Sequence, residues 1–332
     1  MIISTPTRKE MQEIKTDIQK KFPCTDKGPI SHFLNIQFTR NRDKRTIELS
    51  QARKIEKLLN DHQLDAADLK TIRKPRKTPA CSNTKLTQQM CPQTDEEKTA
   101  MSRKPYRSIL GQVLYIAITT RPDIATAAST CGKFAQNPGK AHWNALLRIL
   151  SYLQGTQHLD LQLGSARKDI ILTAYSDADW AGDLDNRKSR SGYVILCNNS
   201  VFIWSSKLQV CVALSSTEAE YIALSNAIRD IVWSRNMVNE LGFFQDEPTV
   251  IFEDNASTIK IAESRKQLPG VKHIDIRHHF IRDRIASKEV ILQHKSTTEM
   301  MADVFTKQLP TQLFERHRNS LRVVKRKGTF NH

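Results

Sequence analysis

Leu172-Thr-Ala-Tyr-Ser-Asp-Ala-Asp-Trp180 decides how this chain reads. Ile170, Leu172, Ala174 and Ser176 alternate with Ile171, Thr173 and Tyr175, and the run ends on two aspartates. Period-two alternation marks a strand with one buried face. Such a strand delivers carboxylates at its tip, where they are held rigidly yet face solvent. That placement suits a metal ligand better than a loop does. The question is whether other acids converge on Asp177.

Three candidates lie downstream. Residues 249–252 form a second apolar strand that ends on Glu253-Asp254-Asn255. If the two strands are neighbours, Asp177 and Asp254 share one sheet edge. Ser215-Ser-Thr-Glu218 opens a long helix, with a serine to cap the free N–H groups and early acids that suit the helix dipole. Either Glu218 or Glu220 can supply the third acid. The two are two residues apart, so they point roughly 200° from one another around the helix. Glu220 shares a side with Ala223, Ala227 and Ile231 and is the preferred choice; Glu218 is explained by the helix terminus alone. Asp303 sits in Met301-Ala-Asp-Val-Phe305, an acid between apolar neighbours. Carboxylates gathered at one place repel, unless cations lie between them. Two Mg²⁺ ions about 4 Å apart, with Mn²⁺ as a substitute, would satisfy them and create a site for phosphodiester hydrolysis. Asp179 is an alternative ligand. Asp183, Asp185 and Glu253 read as solvated or turn acids.

Outward from this centre, the chain divides by composition. Residues 1–64 read as a small α+β piece: a short strand at 1–4, a helix over 7–22 from Met11, Ile14, Ile18 and Phe22, a strand over 33–40 with Leu34, Ile36 and Phe38 inward, a return strand at 46–49 and a helix over 51–62. Residues 65–98 carry prolines and lysines and read as an extended linker without a core of its own. Residues 99–157 are helical, interrupted by Thr120-Arg-Pro-Asp123, and Trp143 reads as core. Residues 168–310 give three antiparallel strands, a helix, a strand, helices, a strand and a closing helix, which is a mixed-sheet α/β layout. Residues 311–332 are a basic tail expected to be loosely ordered.

The whole chain has 332 residues and a formal net charge of +16. Such an excess favours a polyanionic partner. No apolar run reaches the ~20 residues a membrane span needs, and the N-terminus lacks a secretory layout, so an intracellular setting without membrane contact is expected. The six cysteines contain no C-x-x-C pair, which argues against a zinc module. His273, His278 and His279 have no cysteine or acid at ligand spacing and read as packing or surface residues.

Tyr175-Ser-Asp-Ala-Asp-Trp180, Arg187-Lys-Ser-Arg-Ser-Gly-Tyr193, Trp204-Ser-Ser-Lys207 and Leu214-Ser-Ser-Thr-Glu-Ala-Glu-Tyr221 resemble the ribonuclease H domain of Copia-type LTR retrotransposon polyproteins. Glu253-Asp-Asn255, Lys272-His-Ile-Asp-Ile-Arg277 and Ala302-Asp-Val-Phe-Thr-Lys307 continue the match in the same order. Upstream, Tyr106-Arg-Ser-Ile-Leu-Gly111 and Thr120-Arg-Pro-Asp-Ile124 resemble the stretch that joins the reverse transcriptase palm to that domain. The resemblance implies a ribonuclease H-like mixed five-stranded sheet with flanking helices, preceded by a truncated α+β reverse transcriptase palm, thumb and connection region. It implies cleavage of the RNA strand of RNA/DNA hybrids, with Asp177, Glu220, Asp254 and Asp303 as metal ligands and the rest of the polyprotein as partner, in the cytoplasm (a virus-like particle) or the nucleus. Arg187, Lys188, Arg190 and Lys207 lie beside the active edge and are the candidates for contact with the nucleic-acid backbone.

Two departures stand out. The family's Tyr-Val-Asp-Asp polymerase motif is absent, so no DNA synthesis by this chain alone is expected. Phe33-Leu-Asn-Ile36 replaces Phe-Leu-Gly-Ile, which predicts strain at that turn. They keep a second reading open, a decayed or domesticated fragment that binds nucleic acid without cutting it. An integrase of the same fold family is excluded because Glu220 precedes Asp254 in the chain.

Overall fold

The computed structural model describes residues 1–61, 64–82, 84–167, 169–264 and 272–326. The side chains of Lys272 and His273, and the tail beyond 326, lie outside the described residues.

The first part begins with helix α1 (Arg8–Lys21) and a hairpin of β1 (His32–Phe33) and β2 (Ile36–Asn41), followed by β3 (Thr46–Ser50) and α2 (Ala52–Asn60). No strand forms at 1–4. The continuous strand expected over 33–40 is broken at Leu34 and Asn35, which both take positive φ, 50° and 60°. This is a two-residue hairpin turn that needs the left-handed conformation twice. Asn35 tolerates that conformation well, so the predicted strain from losing glycine does not fall on it. Leu34 tips outward instead of inward, 64% exposed, and its carbonyl accepts the Tyr115 hydroxyl at 2.5 Å.

The segment expected as a coreless linker over 65–98 contains α3 (Ala66–Ile72) and α4 (Asp95–Ser102). Asp65 caps α3 by accepting from the Asp68 N–H at 2.8 Å. Asp68 in turn accepts the Trp143 indole N–H at 2.9 Å, and Ile72 is buried. The partners are supplied from Lys104 and Trp143, far along the chain, so no local window reveals them. Helices α5 (Tyr106–Thr119), α6 (Ala125–Gly132) and α7 (Lys140–Gly155) supply most of the first core, Trp143 included. Strand β4 (Leu159–Gly164) follows and pairs antiparallel with β3.

Strands β5 (Leu172–Asp179), β6 (Arg190–Cys197) and β7 (Ser200–Leu208) lead to the long helix α8 (Ser216–Glu240), then β8 (Thr249–Glu253), α9 (Ala256–Glu263), α10 (Lys272–Ala286) and β9 (Val290–His294). The sheet order is β7-β6-β5-β8-β9. β5, β6 and β7 are antiparallel neighbours, while β8 runs parallel to both β5 and β9. Helix α8 crosses over one face and buries Leu224, Ala227, Ile228 and Ile231 against Ala174, Ile195 and Ile251. This is the mixed five-stranded α/β layout expected, with flanking helices.

Over its described residues, 311–326, the tail is not loose. Helix α11 (Thr311–Ser320) buries Phe314 and His317, and β10 (Val323–Lys325) pairs with β4. It completes a second five-stranded sheet in the order β1-β2-β3-β4-β10. Arg326 ion-pairs with Asp160 at 2.7 Å, so part of the basic charge is structural. One apolar cluster runs through Trp143, Val194, Phe305, Phe314 and Val323 and joins the two sheets.

Candidate active site

Asp177 lies near the end of the central strand β5, paired across to Gly192 of β6. Glu220 is in the second turn of α8, and Asp254 directly follows β8, the parallel neighbour of β5. One carboxylate oxygen from each of these three residues lies within 4.8 Å of the other two. Asp177 and Glu220 are buried and Asp254 is half-buried, so the group sits at a rim. Glu218 does not reach it. Its carboxylate accepts the Leu214 N–H at 2.8 Å and its own N–H donates to Ser215 Oγ, so it belongs to the helix cap.

Asp303 comes from the opposite side, on a 3₁₀ turn at Met301–Phe305. It is buried, and its carboxyl is raised in part by the charge of Asp177. Lys307 Nζ sits 2.9 Å from Asp303 Oδ1 and 3.9 Å from Asp177 Oδ2. The Thr306 hydroxyl donates to Asp177. Gly192 makes this approach possible: a Cβ there would lie 2.6 Å from Thr306 Cγ2 and 2.8 Å from Phe305 Cβ. Only a residue without a side chain lets the turn lie flat on β6 and present Asp303 to Asp177.

Burial and mutual repulsion dominate the electrostatics. Burial pushes the Asp177 carboxyl up, against the pull of Lys307 and Thr306. Glu220 is pushed up to about 11, first by burial and then by Glu253, Asp177 and Asp254. Asp303 rises to about 7 through burial and the charge of Asp177. The protein alone therefore does not hold these groups ionised together. Glu220 Oε2 and Glu253 Oε2 are buried without a hydrogen-bond partner. Hard carboxylate oxygens with unsatisfied lone pairs fit Mg²⁺ or Mn²⁺.

Several residues differ from expectation. Glu253, read as a solvated acid, is completely buried at the end of β8. The register explains it: the alternation that buries Thr249 and Ile251 buries Glu253 as well. Asp183 and Asp185 are turn acids, Asp183 accepting the Asp185 N–H at 2.9 Å, but they are not solvated; both ion-pair with Lys133 at 2.6 Å, and Asp185 accepts the Gln88 N–H at 2.9 Å. They fasten the β5–β6 turn to the helical part. Arg190, a candidate surface contact, is only 8% exposed. Its guanidinium donates to Ser129 Oγ at 2.9 Å and to Ser206 Oγ and Thr130 Oγ1 at 3.3 Å. Its position as the first residue of β6 faces it into the helices. Arg187 and Lys207 are exposed, Lys188 and Asp179 half-buried. His278 is buried and stacked on Tyr221, while His294 ends β9 with its ring 3.1 Å from the Asp254 carbonyl. Thr306 and Lys307 were the residues missed. Lys307 stands four positions after Asp303, a spacing that pairs opposite charges on a helical turn.

Fold and site together describe a ribonuclease H-type sheet with a buried acidic cluster at the carboxyl end of its central strands. No family model matches the chain. It is 39% identical over 315 residues to the retrovirus-related Pol polyprotein from transposon TNT 1-94 of Nicotiana tabacum, covering 95% of this chain and 23% of that one. The corresponding polyprotein from transposon RE2 of Arabidopsis thaliana is 32% identical over 93% of this chain and 20% of its own length. A putative transposon Ty5-1 protein of Saccharomyces cerevisiae is 31% identical over 70% of this chain and 71% of that one. The chain belongs to the Pol polyprotein family of Copia-type retrotransposons. It spans about a fifth to a quarter of the length of these polyproteins. Among solved structures, LC11-RNase H1 gives a TM-score of 0.32 at 14% identity over 44% of this chain and 96% of that one. So low a score carries no weight, and the ribonuclease H-type layout stands on strand order and register.

Proposed function

We propose that this chain is the ribonuclease H portion of a retrotransposon polyprotein and hydrolyses the RNA strand of RNA/DNA hybrids. The observation that carries this reading is the convergence of Asp177, Glu220 and Asp254 within 4.8 Å, with Asp303 tied to Asp177 through Lys307. Asp177, Glu220, Asp254 and Asp303 would hold two Mg²⁺ ions, or Mn²⁺ in their place. When bound, these ions supply an activated water and stabilise the leaving oxygen. The remaining tasks fall to the chain's own side chains. Thr306 and Lys307 hold Asp177 and Asp303 in place and keep part of the negative charge neutralised. Arg187 and Lys207, both exposed near the cluster edge, contact backbone phosphates, with Lys188 beside them. Discrimination of RNA would come from 2′-hydroxyl contacts in the minor groove. The rest of the polyprotein is the expected partner, in an intracellular setting.

The test incubates the chain with end-labelled RNA/DNA hybrid, single-stranded RNA, duplex DNA and duplex RNA, with Mg²⁺ or Mn²⁺. Cleavage of the hybrid's RNA strand alone is expected, and it disappears with chelator and in Asp177→Asn. Binding of hybrid without cleavage under every condition would leave the non-catalytic reading in its place.

A further inference from the structure

A cavity of ≈ 190 Å³ lies where the helical part meets the nuclease sheet, and it takes no part in the carboxylate cluster beyond sharing the wall made by Thr306 and Lys307. Arg190 is one of the residues that line it. More than nine-tenths of that residue is buried, its hydrogen-bond partners are hydroxyls, and Asp179 and Asp183 act on it only through space. A guanidinium taken out of water without a bonded carboxylate is costly unless something else compensates it. Thr130 of α6 and Lys85 also line the space, the latter exposed at its mouth. Of the two acids on the wall, Asp183 is already neutralised by Lys133 at 2.6 Å. Only Asp179, across the strand pair from Arg190, opposes the cations.

A buried guanidinium and a lysine at the rim are the cationic donors that a tetrahedral oxyanion takes, while the threonine hydroxyls of the wall already give their protons to Thr126, Val304 and Asp177. We infer that this cavity is a phosphate site, built jointly by the helical part and the nuclease sheet, that seats a backbone phosphate of the bound strand next to the carboxylate cluster. The shared wall gives the inference its mechanical content. Thr306 and Lys307 touch both Asp177 and the cavity, so a phosphate seated there fixes the strand relative to the acids. The identity of the strand rests on the nuclease reading above; the anion does not.

The experiment titrates inorganic phosphate into the whole chain with chelator present and reads the heat. Saturable one-to-one binding is expected. Arg190→Gln and Lys85→Glu should each weaken it about tenfold, as loss of a charge-assisted contact does. Asp179→Asn should tighten it, because the only unneutralised acid on the wall disappears. Lys85 is exposed, so its variant remains informative if Arg190→Gln fails to fold. A short RNA/DNA hybrid should displace the phosphate. No saturable binding in the parent chain, or binding unchanged in Lys85→Glu, overturns the site. Phosphate that the hybrid cannot displace overturns its assignment to a backbone. Displacement without any hybrid cleavage would support the pocket and break the nuclease reading.

Discussion

The two five-stranded sheets are built in opposite ways. The nuclease sheet draws all its strands from residues 172–294, in an unbroken run of the chain. The other sheet is assembled from three distant pieces: β1 to β3 within 32–50, β4 at 159–164 and β10 at 323–325. Contacts between remote segments require more loop closure before they stabilise anything. The sheet that opens the chain therefore gains its fifth strand only when the chain returns to it after completing the other. The returning segment starts just after Asp303 and Lys307, so the path that closes one sheet also carries one side of the other's site.

The most severe way to break this arrangement is to remove the return. Truncation after Pro310 deletes Phe314, Leu321 and Val323, all buried in the joint core. Loss of one large buried side chain costs about 3–5 kcal/mol, so the truncated chain should lose the first sheet altogether. Hydrogen exchange should show protection vanishing in β2, β3 and β4. Protection retained there would mean that β10 is an ornament on a sheet that stands without it.

A smaller intervention sharpens the link between the sheets and the acids. Gly192→Ala keeps every carboxylate but places a methyl 2.6–2.9 Å from Thr306 and Phe305. Overpacking of this kind costs about 1–3 kcal/mol. The turn must lift, and Asp303 with it. Hybrid cleavage should fall about tenfold or more, with the melting temperature lowered by only a few degrees. Unchanged cleavage would show that Asp303 need not stay against Asp177.

The comparison also explains what the sequence could and could not reveal. The nuclease sheet was legible because its strands alternate cleanly and its acids fall at strand or helix ends; helical phase and the family resemblance favoured Glu220 over Glu218 and left the choice open. The other sheet was legible in its hairpin, read as strands over 33–40 and 46–49, and not in its closure. Strand β4, Leu159-Asp-Leu-Gln-Leu-Gly164, alternates leucine with polar residues, but its partners β3 and β10 lie far away along the chain, and β10 is three residues inside a basic stretch. The short β10 does not look like a strand until its partner is known. The burial of Glu253 and of Arg190 was missed for one reason: charge suggested solvent, whereas strand register and the packing of α6 decided it.

Acid should separate the two sheets as well. Burial depresses His317 of α11 to about 4, with Arg316 and Lys307 adding to it. The unfolded chain takes up the proton near pH 6.5, the folded chain only near 4. As pH falls between these values the unfolded state binds more protons, so stability present above about 6.5 is progressively lost, up to about 3 kcal/mol. The raised carboxyls of Glu220 and Asp303 act with the opposite sign, so the effect is read as the difference between the parent chain and His317→Gln, in which they cancel. His317→Gln should be weaker at neutral pH, and the gap between the two urea midpoints should close by pH 4.5. A gap that does not close would mean that α11 opens to let the imidazole charge.

The gentlest test concerns the hairpin that opens the first sheet. Leu34 and Asn35 occupy both left-handed positions of a two-residue turn, and a branched apolar residue is poorly suited to the first. Leu34 buries little there, at 64% exposed, and its one contact noted above is made by the backbone carbonyl, which a substitution leaves intact. Leu34→Asn combined with Asn35→Gly should stabilise the chain by about 0.5–1 kcal/mol. The gain should appear in hydrogen exchange of β1 to β3 and leave β5 to β9 untouched. A gain that spreads to the nuclease sheet would mean that the two sheets unfold together, and that the core running from Trp143 to Phe305 joins them into one cooperative unit.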